Sequence, residues 1–341
     1  MTHEFKKIIH EYQHAKDRGI KTVLATVVDL DGSSYRRPGV SMLLLENGKK
    51  VGAVSGGCVE KEVVLQANSV FESNIPKMMT YDGRYRLGCE GILYILLEPF
   101  YPNEPFLSSF EVCLKKRNSF KLRSYYKKAE VEFKGLGTVV DFGEGNEHPV
   151  QHNFDLGFSQ KSELQVFEQE MKPCFQLMIV GAEHDAVQLC SMASSAGWEV
   201  TIIATPMEEK NIFDFPGAFA FFNRTPDEMD LNSIDEQTAL IVMTHSYAKD
   251  LKYLLKLKDS NPIYLGLLGP AKRRERLLND LLEHCPEVAH TFFDKIHGPA
   301  GLNIGAETPQ EIAIAILAEI LSVTRNKKPM MLKDKAGGIH S

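Results

Sequence analysis

Phe175-Gln176-Leu177-Met178-Ile179-Val180-Gly181-Ala182-Glu183-His184 is the stretch that decides the fold class. Its apolar residues run without a break through Val180, as in a strand buried on both faces of a parallel sheet. A glycine then turns the chain into a helix with Val187, Cys190 and Ala193 on one face. Outward from here the pattern repeats. Residues 198–204, 238–243 and 263–265 read as strands, and 247–258 and 270–282 as helices between them. Strands alternating with helices give a doubly wound α/β domain. Thr308-Pro309-Gln310-Glu311 has the capping-box pattern, with proline at the first helical position, and opens an apolar helix through Leu321. The expectation is a Rossmann-like parallel sheet over 171–325, followed by a basic tail, 326–341, carrying Lys327, Lys328, Lys333 and Lys335.

Open parallel sheets bind ligands beyond the carboxyl ends of their strands. His184, His245 and the turn Gly266-Leu267-Leu268-Gly269-Pro270, leading into Lys272, Arg273 and Arg274, all fall there. A glycine turn that enters a helix beside cations suits a phosphate. The same residues also suit plain structure, as hydrogen-bonded histidines and a solvated helix face. The dinucleotide fingerprint G-x-G-x-x-G is incomplete, because Gly181 is followed by Glu183 and Ala186 where glycines belong. Ile203-Ala204-Thr205-Pro206 also lacks the acidic residue that would hold a ribose. A nucleotide-binding architecture is therefore expected without the usual NAD contacts. Two histidines without a third ligand make no zinc site, and neither a hydrolase elbow nor a P-loop is present.

The first half has different grammar. Met1 to Arg18 is an amphipathic helix with Glu4, Glu11 and Asp17 among its apolar positions, which excludes a secretory signal. Thr22 to Asp29 is a β-branched strand. The polar loop Gly32-Ser33-Ser34-Tyr35-Arg36-Arg37-Pro38-Gly39 follows, and its serines and arginine forks suit an anion. Asn47-Gly48 signals a hairpin between 41–45 and 50–54. Its second strand runs into Val54-Ser55-Gly56-Gly57-Cys58-Val59-Glu60, a strand, a tight turn and a helix whose face carries Val59, Val63, Ala67, Val70 and Phe71. Bare glycine amides and the first helical turn would favour a Cys58 thiolate, whereas a small buried cysteine is the plain alternative. Leu87-Gly88-Cys89-Glu90-Gly91 sets a second cysteine among glycines, between strands at 77–82 and 92–98. Residues 122–126 and 137–142 read as further strands of the same sheet. A mixed α+β domain over 1–150 then gives way to a linker and entry helix over 151–170.

Composition sets the limits. A length of 341 residues suits two domains, and a net charge of −6 gives no general affinity for nucleic acid. No apolar run is long enough to span a membrane. Six scattered cysteines read as free thiols in a reducing cytoplasm.

Seven strings, in order, resemble the XdhC/CoxI family of accessory proteins for molybdenum hydroxylases such as xanthine dehydrogenase. They are GSSYRRPG (32–39), VSGGCVE (54–60), GCEG (88–91), IVGAEH (179–184), MTHSYAKD (243–250), YLGLLGPAKR (264–273) and GPAGLNIGAETPQEIAIAILAEI (298–320). The resemblance implies a chaperone rather than an enzyme. It would bind molybdenum cofactor transiently, help install its sulfido ligand with sulfur from a cysteine desulfurase, and insert it into a hydroxylase client. On that reading Ser33, Ser34, Arg36 and Arg37 hold the cofactor phosphate, and Ser55, Gly56, Gly57 and Cys58 lie at the metal end. Cys58 is then the candidate soft ligand or sulfur relay, with Cys89 its companion. In the second half, Gly181, Gly266, Gly269, Lys272, Arg273, Gly301 and Gly305 are the binding candidates. His184 and His245 are the candidate acid–base groups of the competing reading, an NAD(P)- or FAD-dependent oxidoreductase. The family often has GAGH where Gly181-Ala182-Glu183-His184 stands, and Asp-Pro-Arg where Ala204-Thr205-Pro206 stands. Both departures work against a nucleotide. A homo-oligomer is left open.

Overall fold

The computed structural model describes residues 1–32, 37–84, 91–161 and 163–336. It contains two compact units, Met1–Pro173 and Cys174–Ser341.

In chain order the first unit holds α1 (Thr2–Asp17), β1 (Thr22–Asp31), β2 (Ser41–Leu45), β3 (Lys50–Gly52), α2 (Gly57–Ser73), β4 (Lys77–Asp82), β5 (Ile92–Pro99) and α3 (Glu104–Lys115). β6 (Phe120–Tyr126), β7 (Val131–Glu132), β8 (Gly137–Asp141), β9 (Glu147–Pro149), α4 (Leu156–Lys161) and β10 (Gln165–Met171) complete it. One sheet has the order β3-β2-β1-β5-β4-β7, with β1, β2, β3, β4 and β5 pairing antiparallel. Helix α2 lays Val59, Val63, Ala67 and Val70 on one face of it, against Ala25, Val27, Leu44 and Ile95. The opposite face packs Leu24, Leu43 and Leu45 with Phe5 and Ile8 of α1, and with Phe106 and Phe110 of α3.

Two expectations are corrected here. The strands at 120–126 and 137–141 belong to a second antiparallel sheet, β10-β6-β8-β9, and not to the first. Residues 165–171, expected within the 151–170 linker, pair with β6 along their whole length, so the unit extends to Pro173. An edge strand with one wet face is as polar as a linker, and that composition misled the reading.

The second unit comprises β11 (Gln176–Val180), α5 (His184–Ser195), β12 (Glu199–Ala204), β13 (Ala220–Asn223), β14 (Thr238–Val242), α6 (Tyr247–Leu257), β15 (Tyr264–Leu267), α7 (Ala271–His284), α8 (His290–Phe293), β16 (Ile296–His297) and α9 (Pro309–Thr324). Its sheet runs β13-β12-β11-β14-β15-β16 and is parallel throughout, which is the doubly wound order expected. Leu177 and Ile179 face α5 and α9, while Met178 and Val180 face α6 and α7. That explains why every residue of β11 is buried. Thr308 caps α9 by accepting from the Glu311 N–H, and the Glu311 carboxylate accepts from the Thr308 N–H, closing the capping box.

Candidate functional site

Antiparallel register decides what the first sheet presents at each end. Asp31 of β1 lies opposite Ile92 of β5, Asp82 of β4 also lies opposite Ile92, and Gly52 of β3 lies opposite Met42 of β2. The connections 32–40, 53–56 and 83–91 therefore all leave from one end of the sheet. These are the three glycine-rich strings of the first half. Ser33, Ser34, Arg36 and Cys89 lie outside the described residues, whereas the described flanks of both their loops are at this end. Arg37 is exposed here.

Helix α2 starts at the same end. Gly56 is its N-cap in extended conformation, and no side chain caps the helix. Cys58 is exposed on the first turn, so the alternative of a buried apolar cysteine is set aside. Gly56 and Gly57 are exposed as well, and a methyl group built on either would meet nothing within 4 Å. The Val59 and Glu60 amides donate to the Gly56 carbonyl, so the backbone left accessible at this helix start is that of Gly57 and Cys58. Ser55 beside them is half-buried.

The base of the 32–39 loop is held by a network that no motif announced. A β-bulge between Val27 and Asp29 puts Val28 and Asp29 both on the face away from α2. The Tyr126 hydroxyl donates to Asp29 at 2.5 Å, and the Tyr94 hydroxyl donates to Asp31 at 2.8 Å. The Lys128 ammonium lies 3.1 Å from Asp29 and 2.7 Å from Asp31, and 5.0 Å above the Tyr94 ring. Burial alone would raise the Asp29 carboxyl, but the Tyr126 and Lys128 hydrogen bonds outweigh it and hold the group below its ordinary range. The Lys128 and Tyr94 hydrogen bonds likewise lower Asp31, and the two carboxylates raise Lys128. The Asp-x-Asp spacing at 29 and 31 was visible in sequence, but its partners 97 residues on were not.

A cavity of about 410 Å³ lined by Lys21, Asn74, Tyr101, Gln151 and His152 opens at the other end of the same sheet. None of its residues was flagged by motif.

In the second unit the switch point lies between β11 and β14. Gly181 has φ +132°, and a Cβ there would stand 2.4 Å from the Met243 carbonyl oxygen, so only glycine lets the strands approach. His184 is exposed at the start of α5. His245, also exposed, has φ +56° and sits with its Nε2 3.6 Å from Asp185. Arg273 is committed to its own protein: it donates to buried Asp250 at 2.6 Å, and Asp250 also accepts from the Thr244 hydroxyl and amide. Lys272 is exposed, whereas Gly269 (φ +114°) packs against the Arg273 side chain.

Gly266 is corrected from a binding glycine to a packing one. It lies inside β15, where a Cβ would meet Ile241, Tyr264 and Ala300. Gly301 presses on Ala315 of α9 and donates its amide to Glu319 at 2.7 Å. Glu319 also accepts from the Tyr264 hydroxyl and contacts His297 Nδ1 at 3.0 Å. Gly305 is exposed in open space. The helix start beyond β11 thus carries Glu183 and Asp185, and the Arg273 guanidinium is already paired with Asp250. Among the described residues no three His, Cys, Asp or Glu side chains are grouped to hold a metal, and no helix is long and apolar enough to cross a membrane.

Comparisons with known proteins fall on both units. The XdhC Rossmann domain model matches residues 177–320, and the XdhC and CoxI family model matches residues 15–82. The chain is 29% identical to a probable xanthine dehydrogenase subunit of Bacillus subtilis (strain 168), over 89% of this chain and 94% of that one. It is 26% identical to the molybdenum cofactor insertion chaperone PaoD of Escherichia coli (strain K12), over 95% and 90%. A crystal structure of a xanthine dehydrogenase from Bacillus halodurans superposes with a TM-score of 0.75 at 25% identity, covering 94% of this chain and 96% of that one.

Proposed function

Because the chain belongs to the XdhC/CoxI family, we propose that it holds molybdenum cofactor and inserts it into a cytoplasmic molybdenum hydroxylase of the xanthine dehydrogenase type. The observation that carries this reading is that the described ends of three glycine-rich connections lie at one end of the first sheet, where α2 begins with Cys58 exposed.

The cargo is a pterin with a dithiolene, a phosphate and a metal centre, so it needs anion donors and a soft ligand near each other. Arg37 and its loop suit the phosphate through a planar fork of donors. The uncapped first turn of α2, with Gly56 and Gly57 open, suits an oxyanion. Cys58 supplies a thiol to a metal that favours sulfur. The same thiol can take sulfur from a cysteine desulfurase. A Cys58 thiolate attacks the outer sulfur of the desulfurase persulfide, a new S–S bond forms on Cys58, and the desulfurase cysteine leaves as thiolate. The second unit serves as a scaffold, since the pairing of Arg273 with Asp250 and the acidic start of α5 disfavour a dinucleotide phosphate.

The test is to purify the protein from cells that make the cofactor and to assay pterin and molybdenum, then to mix it with apo-hydroxylase. Loaded wild-type protein should activate the client, and Cys58→Ala, folded to the same extent, should not. Absence of pterin and molybdenum from the wild-type protein would refute the reading, as would saturable turnover of a substrate with NAD, NADP or FAD.

A further inference from the structure

The outer edge of the second unit's sheet is formed by β13. An edge strand offers a row of unpaired N–H and C=O groups, and proteins usually blunt it with charge or proline. Here the strand reads Ala220-Phe221-Phe222-Asn223 and is neither charged nor broken. Around it Ile212 is 39% exposed, Phe213 92%, Phe219 60% and Phe222 39%. At ~200 Å² per large side chain these four expose about 450 Å² of apolar surface. That is more than half of the roughly 800 Å² each partner gives to a stable interface. The strand backbone, Asn223 and Arg224 can supply the rest.

We propose that β13 pairs antiparallel with β13 of a second copy of this chain about a two-fold axis at Phe221, joining the two sheets into one. Three observations choose a second copy as the occupant. The first is hydrogen bonding. The Phe219 amide donates inward to Val200 of β12, so by alternation Ala220 and Phe222 direct their N–H and C=O groups outward. In a register centred on Phe221, Ala220 of one copy faces Phe222 of the other, and each such pair exchanges both hydrogen bonds. The second is shape: that register sets the small Ala220 beside the large Phe222 on both sides of the axis. The third is charge. Asp214 stands exposed before the strand and Arg224 follows it, stacked 4.3 Å over the Phe222 ring. Antiparallel pairing brings the acidic end of one edge to the basic end of the other, and closed two-fold symmetry leaves neither edge free. This inference does not depend on the cofactor reading.

Sedimentation velocity on the full chain over rising concentrations tests it, with Phe222→Pro and Phe222→Lys alongside. By the same alternation the Phe222 amide points away from β12, so proline there spares the sheet's own ladder while removing the intermolecular donor and the ring. The wild-type protein should sediment as a dimer. Both variants should dissociate at least about 100-fold more readily while keeping the wild-type circular dichroism. In the wild-type protein the Ala220 and Phe222 amides should exchange more slowly when the dimer predominates than on dilution. A wild-type monomer at all concentrations would overturn the proposal, as would variants that dimerise unchanged. Should a variant unfold, the exchange measurement decides: protection of those two amides that does not change with concentration refutes it.

Discussion

Replacing Glu98 by glutamine tests the electrostatics of the first unit with a sign that is easy to get wrong. Glu98 lies in β5 opposite Leu24 and is fully buried. One carboxylate oxygen accepts from the Thr138 amide at 2.9 Å and the other from the Thr138 hydroxyl at 2.6 Å. No cation contributes to its titration; burial raises its pKa from 4.5 to about 7, against the pull of the two Thr138 bonds. The folded unit therefore holds a proton, between pH 4.5 and about 7, that the unfolded chain releases. Stability is greatest on the acid side of that window, falls as pH rises through it, and bears the full penalty above it. A shift of this size corresponds to about 3 kcal/mol.

Glutamine carries no charge at any of these values. With its amide turned toward the Thr138 hydroxyl, it keeps both contacts, because that hydroxyl can pass its own proton to Ser124, 2.8 Å away. Glu98→Gln should match wild type near pH 4, on the acid side of the window, and exceed it by up to about 3 kcal/mol at pH 8. The only tryptophan, Trp198, lies in the second unit, so its fluorescence in urea is an internal control that should not move. The first unit is read by amide exchange in urea on peptides of β5 and β8. A difference between variant and wild type that is constant from pH 5 to pH 8, or that grows toward acid, would refute the reasoning.

Other perturbations separate fold from site. Cys58→Ser should leave thermal stability within about 0.5 kcal/mol, since the side chain is exposed, while abolishing cofactor loading. Tyr126→Phe removes the buried hydroxyl from Asp29 and should cost about 1–2 kcal/mol at pH 7 in urea unfolding. Because the Asp29 carboxyl is depressed in the folded state, that loss should fade as pH falls through its folded range. Gly181→Ala places a methyl against the Met243 carbonyl in a conformation only glycine tolerates; it should cost about 3 kcal/mol or more and shift the Trp198 transition. Arg273→Leu strands the Asp250 carboxylate among the Thr244 donors and should destabilise the second unit by about 3 kcal/mol; a neutral effect there would show the guanidinium to be free for ligand.

The second unit was legible because its central strands are buried on both faces, so apolar runs mark them without regard to register. What escaped were its margins. β13 and β16 are too short to show a period, and β13 announces itself only as a pair of aromatic residues among small and polar ones. In the first unit the strands were visible but their grouping was not: an alternating strand such as Phe120–Tyr126 says that one face is buried, not against which sheet. The Lys128 tie was invisible for a related reason. A lysine in a charged turn reads as solvated, and the bulge that aims Asp29 at it is a property of the pairing between β1 and β5, not of either strand alone.

Glycine strings look alike in sequence, yet they divide by what a side chain at each position would strike. At Gly181, Gly266 and Gly301 the missing Cβ would collide with the protein's own strands or with α9, and Gly301 further spends its amide on Glu319. Those glycines let the second unit close on itself. At Gly56 and Gly57 a side chain would strike nothing, the helix that follows has no cap, and a thiol stands exposed on its first turn. Where internal packing does not require the absence of a side chain, a bare backbone serves the helix cap itself and leaves room for a group approaching from outside. By that criterion the turn before α2 is where we propose that the cargo docks, and the equally glycine-rich strings of the second unit are chiefly the means by which its sheet holds together.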